Sequence, residues 1–227
     1  MTGPALQTAR LHKGWTQVQA ARELRVSQGY VALLEAGLRQ PSLALQRRMV
    51  SKLDLPPTAV APTVPSATVE PGTLAADLAD LGYPGFRHLR RPRKATKNPA
   101  EVLLSALKPD HLEPRSAEAL PWLVVAFSHM DWDWLVPRVK ALDLQNRLGF
   151  VVTLGRQLAE RTNAAAAETL REKEAGLERS RLVREDVFGR TTMTEAEKRW
   201  LRVNRPPEAS HWNVLSNLAA EHLTHAR

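Results

Sequence analysis

Along residues 1–55 apolar positions recur three or four residues apart in short runs, each broken by glycine, proline or a small hydroxylated residue. That period belongs to amphipathic helices, and runs this short are stable only when packed together. Ala5, Leu6, Ala9 and Leu11 make a first weak stripe, which Lys13-Gly14 ends with a basic last turn and a glycine stop. Thr16 is placed to cap a second helix, Gln17 to Leu24, with Val18, Ala21 and Leu24 on one face. Arg25-Val26 turns the chain, and Ser27 caps a third helix from Gln28 to Ala36. Val31 and Leu34 point inward there, with Leu33 a further candidate for the inner face, before Gly37 stops it. Pro41-Ser42 opens a fourth helix whose Leu43, Leu45, Met49 and Leu53 form the inner stripe. Four such helices can share one small core.

From Thr73 onward the period stays helical: Leu74 to Leu81, Ala100 to Leu107, Ala117 to Ser128, Trp132 to Leu142, Leu144 to about Arg184, Glu195 to Val203 and Trp212 to Leu223. Residues 160–184 are densely charged, with Glu168 near Arg171 and Glu174 near Arg179, which predicts an exposed long helix or arm. Between the two regions, Pro56 to Thr73 holds five prolines and no apolar period, the composition of a partly extended linker. The predicted fold is all-α: a helix-turn-helix bundle over 1–55, a Pro-rich linker over 56–73, and a larger helical domain over 74–227.

Two helices joined by a turn of three or four residues, with the small Ala21 where they approach, form the helix-turn-helix arrangement, whose second helix enters the major groove of DNA. Leu6 to Leu55 resembles the Xre/Cro family of phage-repressor-like DNA-binding domains. The resemblance rests on Trp15-Thr16-Gln17, Ala21-Arg22-Glu23-Leu24, Val26-Ser27-Gln28, Val31, Glu35-Ala36-Gly37 and Arg39-Gln40-Pro41-Ser42-Leu43. It departs from the family at Gly29 and Tyr30, where small polar residues are usual. The resemblance implies that Thr16 and Gln17 meet a phosphate at a helix N-terminus and that Gln28, beside the Ser27 cap, opens the recognition helix. A glutamine amide there can bond adenine N6 and N7 together, although a solvated helix-start residue would have the same sequence. By the same resemblance Tyr30 and Ala32 face the groove, Arg25 and Arg39 contact phosphates, and Glu35 is a buried structural residue holding the turn that follows it.

Charge divides the chain along the same lines. Of 227 residues, 32 are Lys or Arg and 24 Asp or Glu, a formal surplus of +8. Residues 1–55 carry eight bases against three acids, residues 56–99 six against three, and residues 100–227 eighteen of each. The whole surplus lies in the first 99 residues, which suits a polyanion; the remainder has no electrostatic reason to touch one. Within the basic part, Phe86 to Lys97 (FRHLRRPRKATK) places Arg87, Arg90, Arg91, Arg93, Lys94 and Lys97 in eleven residues, with Pro92 interrupting any helix. Two readings stand for it: an extended arm along the DNA backbone, and a solvated loop.

At 43% hydrophobic and 25% charged, the composition is that of a folded globular chain. There is no cysteine, hence no disulfide, thiolate metal site or catalytic thiol. No apolar run approaches a membrane span, and Met1-Thr2-Gly3-Pro4 does not resemble a secretory signal, so a cytoplasmic location is expected. Asp131-Trp132-Asp133-Trp134 has the spacing of a magnesium-binding carboxylate pair but sits in a helical context without the expected strand, and Asp131 as a helix cap explains it better. His222 and His225 are one turn apart without a third ligand. No enzyme activity, metal or cofactor is expected.

The neutral half instead holds five of the six tryptophans, 122, 132, 134, 200 and 212, a composition shared by cores and interface hot spots. Leu74 to Asp77-Leu78, Gly82-Tyr83-Pro84 and Leu120 to Phe150 are faintly similar to antitoxins paired with nucleotidyltransferase-type toxins. The expectation is therefore a DNA-binding transcriptional regulator that acts as a homodimer on a double-stranded operator, with an antitoxin role that implies a toxin protein as partner. The alternative is a repressor whose helical domain responds to a small ligand.

Overall fold

A computed structural model describes residues 3–64, 72–91, 97–108, 112–189 and 193–223. The fold is all-α, and the chain divides into two compact units, residues 1–63 with 92–98, and residues 64–91 with 99–227.

In the first unit the helices are α1 (Gly3–His12), α2 (Gln17–Leu24), α3 (Gln28–Glu35) and α4 (Leu43–Leu53). Local chemistry sets their starts. Thr16, Ser27 and Ser42 each adopt extended backbone and accept a hydrogen bond from the third helical N–H, satisfying a donor that the helix leaves unpaired. Leu6, Leu24, Leu34, Leu45, Met49 and Leu53 form the core, with Ala20, Ala21 and Val31 as a second cluster where α2 meets α3. Four positions differ from the periodicity, Ala5 and Leu33 among them, both of which are exposed. Val18 and Leu11 are exposed, and the inward positions on their helices are taken by Ala20 and by Arg10. A helix of two or three turns leaves two apolar frames open; in α2 the frame that admits close α2–α3 approach through alanine prevails. The start of the proline-rich stretch is packed rather than extended: Pro57–Ala59 form a 3-10 turn, and Val60 is buried and accepts from the Asn98 amide at 2.6 Å. Residues 65–71 lie outside the described part.

The second unit comprises α5 (Thr73–Asp80), a 3-10 segment (Pro84–Leu89), α6 (Pro99–Leu107), α7 (Pro114–Ala126), α8 (Trp132–Ala141), α9 (Gln145–Thr162), α10 (Ala164–Glu178), α11 (Glu195–Asn204) and α12 (Pro207–His211). Residues 144–184 are not one exposed helix. The chain breaks at Asn163, whose carboxamide caps α10, and α10 folds back on α9. Nearly every residue from Gln145 to Ala159 is buried, so α9 is the central helix of this unit. Glu174 turns inward to Arg156 at 2.5 Å and to the Thr153 hydroxyl at 2.7 Å, leaving Arg179 aside, whereas the Glu168–Arg171 pair forms on the surface.

The segment after α12 also departs from the helical reading. Asn213 has a left-handed backbone (φ 52°), and Val214–Leu215 (β2) pair in parallel with Asp186–Val187 (β1), followed by a 3-10 turn at Ala220–His222. The cause is Trp212, which is fully buried with its indole N–H on Thr153 at 2.7 Å. Its ring lies on Gly149, where an added Cβ would stand 2.3 Å from the indole. Gly149→Ala is therefore expected to destabilise the protein by about 1 to 3 kcal/mol through overpacking. Urea denaturation followed by tryptophan fluorescence measures this; an unchanged midpoint would mean that the ring can move aside at no cost.

Candidate nucleic-acid interface

The α2–turn–α3 segment is built by two caps and one left-handed residue. Thr16 and Gln19 form a capping box, the Thr16 hydroxyl accepting from Gln19 N at 3.2 Å and Gln19 Oε1 accepting from Thr16 N at 2.7 Å. Arg25 ends α2 at φ 55°, its N–H directed at Ala21 and Arg22 carbonyls, and the chain reverses into Ser27. The Ser27 hydroxyl accepts from Tyr30 N at 3.2 Å. Thr16, Arg25, Ser27, Gln28 and Arg39 are exposed, and Gln17 is half-buried.

Beneath Gln28 runs a continuous polar chain. Gln28 Nε2 donates to Gln17 Oε1 at 3.0 Å, and Gln17 Nε2 donates to Glu35 Oε2 at 2.9 Å. Glu35 in turn receives Arg10 Nε at 2.5 Å and Arg10 Nη2 at 3.1 Å, while Arg10 Nη1 bonds the Trp15 carbonyl at 2.8 Å. The Arg10 and Glu35 side chains are only 8% and 6% exposed. Burial works to raise the Glu35 pKa, but hydrogen bonds from Arg10 and Gln17 and the Arg10 charge overcome it, leaving it below the ordinary value. Arg10 is correspondingly pushed up, chiefly by its bond to Glu35. Glu35 is thus structural, as the sequence suggested, but it holds α1 to α2 and α3 instead of the following turn.

The faces of α3 follow from helical spacing. Tyr30 stands four residues before the buried Leu34, hence on the same side, and its ring packs on the core cluster with its hydroxyl 3.5 Å from the Gln40 carbonyl. Packing therefore turns it away from the groove-facing role. Gln28 shares the outer face with Ala32, four residues on, and Gly29 with Leu33, both exposed. Gly29 and Leu33 thus join the outer surface, a placement that counting by four from an exposed Gln28 and Gly29 would have found. Arg10 gave no such signal, because its partner is 25 residues away.

The basic segment does not act as a set. Arg87 and Arg90 are exposed, Lys97 is half-buried, and Arg93 and Lys94 lie outside the described residues. Arg91 is committed to structure. Its Nε donates to Asp80 at 2.8 Å, its Nη2 to Asp77 at 2.6 Å, and its backbone N–H to Asp80 at 2.8 Å. Both carboxylates are nearly buried on α5, so the guanidinium is held as their counter-ion.

Elsewhere, Asp131 opens α8 without making a side-chain cap, while Trp132 is buried and bonds the Ser128 carbonyl at 2.7 Å. Trp134 lies under the Arg138 guanidinium at 4.4 Å. His222 is on an exposed 3-10 turn, and His225 is outside the described residues. Among the described residues, no helix is long and apolar enough to cross a membrane.

Residues 3–62 match the family model of a helix-turn-helix domain, a span that covers α1 to α4 and the 3-10 turn after them. No curated protein and no solved structure matches the chain.

Because the Glu35 pKa is lowered by folding, its contribution is complete above the ordinary value of 4.5 and disappears as pH falls through the folded value. At neutral pH, Glu35→Gln is expected to cost about 3 to 5 kcal/mol, since it leaves Arg10 buried without its counter-charge. Urea titrations at descending pH should show wild type and variant converging in acid; a constant gap would assign the loss to packing.

Proposed function

We propose that this protein is a sequence-specific DNA-binding transcriptional regulator of the Xre/Cro type, which binds its operator as a homodimer. The observation that carries the reading is Gln28, exposed at the capped N-terminus of α3 and tied by its amide to Gln17, so that a base-reading group projects from the helix that a helix-turn-helix places in the major groove. Around it, the unbonded N–H groups at the starts of α2 and α3, the Thr16 and Ser27 hydroxyls, Arg25 and Arg39 supply the phosphate contacts that set register. Leu33 and Ala32 add apolar surface suited to a thymine methyl. A single unit of this size reads only a half-site, which is why two copies are required for useful affinity. Such a regulator works in the cytoplasm.

The second unit we read as the partner-binding part, with an antitoxin role. It carries no net charge over residues 100–227, and on α11 Trp200 (57% exposed) and Val203 (83%) stand one turn apart in solvent. Exposed tryptophan is the side chain that protein interfaces use most. These features favour a protein over a small ligand, for which an enclosed apolar cavity is the expected receptor.

Selection of bound sequences from random duplexes should return a two-fold operator. Gln28→Ala should weaken that operator by about 1 to 3 kcal/mol while leaving binding to random DNA nearly unchanged; retained affinity and footprint would remove Gln28 from the interface. For the second unit, the product of an adjacent reading frame should arrest growth when expressed alone and be relieved by this protein, with Trp200→Ala weakening the relief. Absence of any growth effect would defeat the antitoxin reading and leave the DNA reading intact.

A further inference from the structure

Glutamine is ambivalent as a base reader. Its carboxamide offers one acceptor oxygen and two N–H donors. One N–H and the oxygen together match adenine, which presents N7 as acceptor and N6 as donor; both N–H groups together match guanine, whose N7 and O6 are both acceptors. Which base Gln28 accepts therefore depends on whether its second N–H is free.

Here it is not free. Gln28 Nε2 donates one hydrogen to Gln17 Oε1, leaving one donor and one acceptor on its outer edge. The direction of that bond is not a property of the two glutamines, since an inverted Gln17 amide would instead donate to Gln28 Oε1 and leave both Gln28 hydrogens free. Glu35 decides it. Its carboxylate is ionised and nearly buried, and it can only accept, so Gln17 must turn its NH2 toward Glu35 at 2.9 Å and its oxygen toward Gln28. Arg10 holds the carboxylate in place and cannot accept a hydrogen bond itself, so no member of the chain can reverse.

We infer that Glu35 is a positioning residue for base recognition: through Gln17 it fixes the polarity of the Gln28 amide and makes the protein select adenine over guanine. This rests on the DNA-binding reading above. The buried ion pair then has two consequences from one set of bonds, joining the helices and setting the hydrogen-bonding face that the recognition helix presents.

Two variants separate the polarity from the fold. Gln17→Met keeps the length of a half-buried side chain but removes the amide that transmits direction. The double variant Arg10→Met with Glu35→Leu replaces the buried pair by apolar side chains of similar size, a change that buried ion pairs often tolerate. Folding of each is checked by circular dichroism and thermal melting. The readout is the adenine-to-guanine affinity ratio at the operator position where Gln28→Ala loses selectivity, alongside affinity for random duplex. Wild type should prefer adenine there. Gln17→Met should lower the ratio about fivefold or more by admitting guanine, whereas loss of a phosphate contact alone would weaken both bases and random duplex alike and leave the ratio unchanged. The double variant should lower it likewise if it folds. An unchanged ratio in folded Gln17→Met or in the folded double variant, or a wild-type preference for another base at that position, overturns the inference. If wild-type protein shows no sequence preference at all, the regulator reading fails with it, an outcome distinguishable from the other two.

Discussion

A carboxylate placed inside a bundle of four short helices is tolerable only if every lone pair facing the interior finds a donor, and the N-terminal unit is arranged around that requirement at Glu35. Arg10 arrives from α1, Gln17 from α2, and the carboxylate itself stands at the end of α3, so three of the four helices meet at one charge. The magnitudes single it out. Exposed pairs such as Lys52–Glu23 contribute little, because water and salt screen them, whereas removing one member of a buried pair costs about 3 to 5 kcal/mol. Its bonding also extends outward without interruption to Gln28, so the group that demands satisfaction in the interior and the group that meets solvent share one hydrogen-bonded chain.

The second unit applies the same chemistry on a larger scale. The first turn of α9 buries Gln145, Asn146 and Arg147 in succession, a run that would be costly without the bonds that Asn146, Arg147 and the Gln145 Nε2 make. Arg147 takes both oxygens of Asp186 at 2.7 Å, and Asn146 exchanges bonds with the backbone of Leu182, so the loop after α10 is strapped to the central helix. Farther along α9, Thr153 accepts from Trp212 and donates to Glu174, joining the C-terminal segment to α10 through one hydroxyl. Residues 100–227 are neutral overall, and much of that neutrality is spent internally, in pairs such as Arg156–Glu174 and Arg205–Glu185.

What could be read from the chain alone follows the range of the interactions concerned. Thr16 and Ser27 were legible as caps, and Pro41-Ser42 as a helix start, because a cap involves only the next three residues. So were the outlines of most helices, through periodicity over ten or more positions. Val18 misled because an eight-residue helix offers too few turns to choose between adjacent stripes, and the choice fell to the packing of Ala20 and Ala21 against α3. Tyr30 was placeable from the inward Leu34 four residues on, but the groove-facing role implied by the resemblance set that spacing aside. Arg91 was read as a member of a basic run because its two carboxylate partners lie 11 and 14 residues back, beyond any local pattern. For residues 212–223 the apolar spacing is helical, yet the burial of Trp212 on Gly149 and the pairing of β2 with β1 outweigh it.

Trp212 has one more bearing, on the order of events during synthesis. Its seat is made by Gly149 and Thr153 on α9, some sixty residues earlier in the chain. Until Trp212 leaves the ribosome, that part of α9 has apolar surface without its cover, and β1 has no strand to pair with. The hairpin of α9 and α10 can form from local contacts well before then, since both helices and the turn between them emerge together. The C-terminal segment thus acts as the closing piece of its unit: a nascent chain interrupted before it would hold most of its helices but lack a finished core, and would be the form most open to proteolysis and to aberrant association.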